Sequence, residues 1–294
     1  MHGAREQRAR LRETQGMIAP RFARVAAALF VFAFLMQHPA LAEPATAPAK
    51  PLVGQQGKDA IWVPTPNALI ELMLDLAKVT PQDKVVDLGS GDGRAVIAAA
   101  KRGATARGIE YDANLVALSK ASAEREGVSD KARFERADMF ATDFSDASVV
   151  VLFLLPDLNL KLRPSILRMK PGTRVVSNTF EMGGWLPDKS ASLREECDFF
   201  FCKALLWIVP ARIDGAWVLE TGDLAGTLSF KQEFQTFTGA LTNGDTVTPV
   251  TDGKLTGDSL GFSAGGTAFA GRVRGDMIEG TTLSGAVWKA KRAN

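Results

Sequence analysis

The chain has 294 residues, a formal net charge of +2, 46% apolar residues and 23% charged residues, the profile of an ordinary soluble globular protein with room for one large domain or two smaller ones. No lysine- or arginine-rich run marks its body, which argues against a dedicated nucleic-acid binder of the basic-patch kind. Its two histidines, His2 and His38, both lie in the N-terminal segment, so no histidine is left for triad, general-base or metal work further on, and no metal site is expected.

In chain order, residues 1–24 carry Arg5, Arg8, Arg10, Arg12, Arg21 and Arg24, and the apolar run VAAALFVFAFLM follows at 25–36. Ala40-Leu41-Ala42 then precedes Glu43-Pro44. A basic region, a short apolar region and an A-x-A end describe a secretory signal peptide over 1–42, with cleavage expected after Ala42. As a helix the run rises only ~18 Å, short of a ~30 Å hydrocarbon core, so an uncleaved membrane anchor is the second reading. The Pro-, Ala- and Gly-rich stretch 43–58 is expected to be a linker.

From 59 to 211 short apolar runs alternate with helical-period segments. Strands are expected at 84–89, 106–110, 132–138, 148–155 and 172–178, and helices at 94–102, 113–126 and 158–169. The run SVVVLFLL at 148–155 is apolar throughout, as a central parallel strand buried on both faces must be. Strand–helix alternation implies an α/β domain with a parallel sheet and crossover helices. From 212 to 294 the texture changes. LAGTLSFKQEF at 224–234 alternates strictly, later short strands are spaced by Gly- or Asp-rich turns, and TNGD at 242–245 is a hairpin signal. A small antiparallel β domain is expected, a sandwich or a barrel. If CDFFFC (197–202) is one strand, Cys197 and Cys202 lie ~16 Å apart on opposite faces, beyond disulfide reach; two free thiols are expected.

The stretch VVDLGSGDGR (85–94) carries the chemistry. A glycine-rich turn between strand and helix lets backbone approach a ligand, and the helix start offers amide N–H groups. Gly89, Gly91 and Gly93 make G-x-G-x-G, not the G-x-G-x-x-G of dinucleotide sites. Asp87 before it suits a ligand with an ammonium group, such as the methionine moiety of S-adenosylmethionine (SAM). Glu110 ends the next strand, where a carboxylate accepts from ribose hydroxyls. Asp138 ends the third, followed by Met139, pairing an acceptor for an adenine amino group with apolar cover. Ser90 and Tyr111 flank these acids, and all are expected at the cofactor.

The chain resembles class I SAM-dependent methyltransferases, and within them the ATP-synthase c-subunit lysine N-methyltransferases and their bacterial relatives. The resemblance rests on VPTPNALIELMLDLAKV (63–79), VVDLGSGDGRAVIAAAKR (85–102), LFLLPDLNLKLRP (152–164) and KPGTRVVSN (170–178). It implies a seven-stranded Rossmann-like sheet, SAM as methyl donor and a lysine side chain of a protein as acceptor; it does not extend to the C-terminal β domain. It also places Thr65 at the SAM pocket, with Trp62 beside it facing the substrate.

In this fold the acceptor enters over the end of the fourth strand, which reads Leu155-Pro156-Asp157-Leu158-Asn159 rather than Asn-Pro-Pro-Tyr. Pro156 and Asn159 are candidate substrate contacts. Asp157 and, after the fifth strand, Glu181 are candidate catalytic carboxylates for a lysine amine; for Asp157 a role in starting and capping the helix is the competing reading. Methyl transfer as an in-line displacement needs chiefly positioning. The expected protein is therefore an exported or membrane-tethered methyltransferase, periplasmic or secreted, with a membrane-near protein substrate. The alternative is a non-catalytic exported protein whose β domain binds a glycan, lipid or envelope partner. The sequence does not specify an oligomeric state.

Overall fold

The computed structural model describes residues 51–193, 201–220 and 225–293. The expected signal segment 1–42, the first part of the linker and Cys197 lie outside them.

The first half is a seven-stranded sheet in the order β3-β2-β1-β4-β5-β7-β6. Its strands are β1 (Lys84–Leu88), β2 (Thr105–Glu110), β3 (Ala132–Arg136), β4 (Val149–Leu152), β5 (Arg174–Asn178), β6 (Lys189–Ser192) and β7 (Lys203–Ile208). The first five run parallel, and β7 pairs antiparallel with both β5 and β6. The helices are α1 (Asn67–Leu76), α2 (Arg94–Lys101), α3 (Ala113–Arg125) and α4 (Pro156–Ile166).

Burial on both faces explains the apolar central runs. Val85, Val149, Val151 and Val176 pack under α1 and α2 on one face, while Val86, Leu88, Val150, Leu152 and Val175 meet Leu162 and Ile166 of α4 on the other. The fourth strand is shorter than the expected 148–155 because the chain turns there: Leu155 is the N-cap of α4 and Pro156 occupies its first turn, where its missing N–H costs nothing.

The second half is a closed antiparallel barrel, not a sandwich, in the order β10-β11-β12-β13-β14-β15-β8-β9. It comprises β8 (Gly215–Glu220), β9 (Gly226–Glu233), β10 (Thr236–Asn243), β11 (Thr246–Thr256), β12 (Ser259–Ala264), β13 (Thr267–Arg274), β14 (Met277–Thr282) and β15 (Val287–Arg292). Closure removes the exposed edges of an open sheet. Its interior is filled by Trp217, Leu228, Phe230, Phe237, Phe262, Phe269 and Trp288, with Phe262 and Phe269 stacked 4.7 Å apart. The TNGD signal becomes the turn Gly244-Asp245, closed by the pair Asn243–Thr246.

One expectation fails in this region. Cys202 is disulfide-bonded, not a free thiol. The expected separation requires one extended strand over 197–202, but strand pairing begins only at Lys203 and residues 201–202 precede it without strand structure.

Candidate active site

The strand order reverses between β1 and β4, where adjacent crossovers leave to opposite faces and a crevice opens beyond the strands' C-terminal ends. A cavity of about 560 Å³ sits there. Its floor is Asp87, the glycine turn and Val151–Leu154; its sides are Glu110–Leu115 and Arg136–Met139; its cover is residues 55–65.

The first part of the cover, residues 55–58, comes from the stretch expected to be a linker. Gly54 N donates to Trp62 O (2.9 Å), Trp62 N to Gln55 O (2.8 Å) and Gly57 N to Ala60 O (3.0 Å), folding 54–62 into a tight hairpin. Residues 55–58 line the cavity and are no free tether, because Gln55, Gln56 and Gly57 are paired through their backbones and Lys58 through its side chain. Trp62 rests on the glycine turn: a Cβ built on Gly91, whose φ is +55°, would lie 2.8 Å from the indole Nε1. Glycine is required there for both backbone conformation and close approach.

Asp87 lines the cavity. It is 7% exposed, and no donor of the described residues is hydrogen-bonded to it. Burial, with Glu110 and Asp92 adding negative charge, pushes its carboxyl up to about 8. A buried carboxylate without a donor fits a cationic ligand group, which is what the ammonium of SAM would supply.

Glu110 is tied more tightly than the sequence suggested. Its Oε2 accepts from Gly91 N (2.9 Å), and its Oε1 from Tyr111 N (2.8 Å) and Asp112 N (2.9 Å). One carboxylate thus fixes the glycine turn and the start of α3, leaving little more than one acceptor position for a ribose hydroxyl. Asp138 accepts from Lys58 Nζ (2.7 Å) and Phe140 N (2.9 Å). The Lys58 hydrogen bond, then the amide, hold its carboxyl below the usual range, and the same contact raises the Lys58 ammonium. Lys58 also lies over the Tyr111 ring at 4.6 Å. The hairpin is therefore clamped to the acid expected to receive the adenine amino group.

Thr65 lines the cavity and is held from two elements: Asn178 Nδ2 donates to its Oγ1 (3.3 Å) and Arg94 Nη1 to its carbonyl (3.0 Å). Arg94 is itself fixed by its guanidinium donating to both Asp92 oxygens, Nε to Oδ1 at 2.9 Å and to Oδ2 at 3.2 Å and Nη2 to Oδ2 at 2.6 Å. Met139 lies in the wall, and Gly89 and Ser90 in the turn. The Ser90 hydroxyl is buried without a hydrogen-bond partner among the described residues, beside Gly108, where a Cβ would lie 2.6 Å from it.

Five expected residues lie outside the cavity lining. Gly93 caps α2 in left-handed conformation and packs against Phe134 and Ser119. Pro156 and Asp157 are exposed in the first turn of α4. Asn159 is fully buried; its Nδ2 donates to the Phe180 and Glu181 carbonyls at 3.3 and 3.4 Å, so it holds the loop after β5 and is closed to a substrate. Glu181 is exposed on that loop. Phe153, in contrast, is absent from the expected set. It lines the cavity, stacks on Phe180 at 6.0 Å and meets Phe201 at 5.5 Å, giving the acceptor side an apolar aromatic wall.

The ANTKMT methyltransferase domain matches residues 87–189. A protein-lysine N-methyltransferase of Saccharolobus islandicus (strain REY15A) is 43% identical over 129 residues, covering 43% of this chain and 80% of the relative. The lysine N-methyltransferase of the ATP-synthase c-subunit from Homo sapiens is 39% identical over 128 residues, covering 43% of this chain and 54% of the relative. A solved structure of an RNA methyltransferase from Salinibacter ruber with S-adenosyl-L-homocysteine is 43% identical, with a TM-score of 0.48, covering 51% of this chain and 96% of that one. The chain belongs to the ANTKMT methyltransferase family and is a SAM-dependent methyltransferase.

Proposed function

We propose that the protein is a protein-lysine N-methyltransferase that works outside the cytosol, on a protein at or near the membrane. The observation that carries the reaction is the buried Asp87 at the switch point, which meets no hydrogen-bond donor among the described residues, in a chain that covers 80% of a protein-lysine N-methyltransferase at 43% identity. SAM supplies an electrophilic methyl group when bound. Asp87 would hold its ammonium, Glu110 its ribose and the Asp138–Met139 corner its adenine, with Lys58 and Trp62 closing the cover. Holding donor and acceptor in line supplies most of what a displacement needs. Asp157 and Glu181, both exposed, would draw a lysine ammonium toward the aromatic wall.

The arginine-flanked apolar segment 25–36 and the Cys202 disulfide support export, since disulfides persist in oxidising compartments. Cell fractionation with N-terminal sequencing of the mature chain tests it: a mature chain beginning after Ala42 outside the cytosol is expected, and an intact cytosolic chain contradicts it.

The acceptor is tested by incubating the full chain with isotopically labelled SAM and an envelope extract. Label resistant to nuclease, removed by protease and mapped to lysine by mass spectrometry is expected; label that follows RNA contradicts the reading.

Glu110 gives a distinguishing variant. Because it ties three backbone amides as well as facing the ligand, Glu110→Ala is expected to lower Tm and weaken S-adenosylhomocysteine together, by ~1.5–3 kcal/mol per lost charge-assisted bond. Thermal melts and ligand titration check this; an unchanged melt would mean that the acid only faces the ligand.

A further inference from the structure

The barrel lies beyond the segment matched to the methyltransferase domain, which ends at residue 189. Five two-residue turns join its described strands. Four place glycine first in left-handed conformation: Gly244, Gly257, Gly265 and Gly275. The fifth, between β9 and β10, places Phe234 there with φ +53°. A bulky residue in that region is an outlier, and such outliers persist where surrounding structure holds them.

What holds Phe234 is the sheet domain. Its ring stacks on Trp185 at 6.1 Å and 13° and lies under the Arg163 guanidinium at 5.3 Å. Next to it, Gln235 Nε2 donates to Leu186 O at 2.7 Å. Trp185 and Leu186 belong to the loop that follows β5. The same loop is held from α4 by Asn159 and by Arg163, whose Nη1 donates to Met182 O at 2.8 Å. At its start, Thr179 is left-handed (φ +62°) and Phe180 stacks on the cavity-lining Phe153. An unbroken run of contacts therefore leads from the barrel turn to the acceptor wall of the cavity, while the adenosyl end is built without the barrel.

We propose that the barrel is a positioning element of the methyl-transfer site: its Phe234–Gln235 turn fixes the 180–186 loop, and through it Phe180 and Phe153, where the acceptor side chain enters. Phe234 is a positioning residue, acting through Trp185 and Arg163. The proposal rests on the acceptor entering over the ends of β4 and β5.

The test uses the full chain and the variants Phe234→Ala, Phe234→Tyr and Gln235→Ala. Hydrogen exchange is followed at 180–186 and, as a control for global opening, at 85–88. In Phe234→Ala, exchange at 180–186 is expected to rise about tenfold with 85–88 unchanged, and methylation of the envelope extract at saturating SAM to fall about tenfold or more. S-adenosylhomocysteine affinity should stay within about twofold, since none of its expected contacts is touched. Phe234→Tyr should restore both protection and rate, and Gln235→Ala should loosen the loop less. Loop protection and rate unchanged in Phe234→Ala would overturn the proposal, as would a loss of ligand affinity in step with the rate. A wild-type chain that binds no S-adenosylhomocysteine would overturn the functional reading instead, and the exchange data would still decide whether the barrel holds the loop.

Discussion

Replacing Asp87 by asparagine is expected to stabilise the empty protein while weakening SAM. The Asp87 carboxyl titrates at about 8 in the fold and near ~3.9 in an unfolded chain. Between those values the folded state holds a proton that the unfolded state has lost, so this group makes stability fall as pH rises from about 4 to about 8, and contributes no further slope above. Asparagine removes the ionisable group. At neutral pH the gain is expected to be ~2–4 kcal/mol, read as a Tm rise of about 5 °C or more. The same change deletes the anion that meets the ligand ammonium, a charge-assisted contact whose loss costs ~1.5–3 kcal/mol, or about 10- to 100-fold in affinity. Thermal melts and titration of one variant thus move in opposite directions. A fall in both would place Asp87 among structural acids.

Gly93→Ala is expected to act the other way, on the fold before the ligand. Gly93 caps α2 at φ +80°, and an added Cβ would lie 2.6 and 2.8 Å from Phe134 ring carbons and 2.8 Å from Ser119 Cβ. Both neighbours are buried, so neither has room to yield. Left-handed strain of ~1–2 kcal/mol adds to overpacking of ~1–3 kcal/mol, and a Tm loss of roughly 10 °C is expected. At Gly91 the atom in the way is the indole of Trp62 on the covering hairpin. Gly91→Ala is therefore expected to cost more in ligand affinity than in Tm. Equal Tm losses in the two variants would show that the hairpin is as rigidly built as the core.

The contrast between these glycines shows what the sequence carried and what it could not. The pattern G-x-G-x-G after a β-branched strand announces a strand–turn–helix with left-handed positions, because only glycine occupies them cheaply. It does not say which glycine faces the ligand and which faces Phe134. Asp87, Glu110 and Asp138 were legible because each lies at or just past the C-terminal end of a strand, and strand ends in such a sheet converge on one crevice. Lys58 was not, since its bond to Asp138 joins residues 80 positions apart and no local period records it. Asn159 looked available because polarity was read without burial; the fold uses its amide to tie two carbonyls. The barrel's strands were visible in strict alternation, while the joint made by Phe234 hid as one more apolar residue on the inward face.

Asp87 is assigned the ammonium of the adenosyl ligand, and calorimetry of S-adenosylhomocysteine binding near pH 7, in two buffers of different ionisation enthalpy, tests that assignment most directly. A carboxyl titrating at about 8 is mostly protonated at that pH and must ionise to meet the ligand, so binding should release close to one proton. 5′-Methylthioadenosine, which lacks the amino-acid moiety, should release none, and Asp87→Asn should abolish the release along with most of the affinity. No binding, or binding without proton release that Asp87→Asn leaves unchanged, would contradict the assignment.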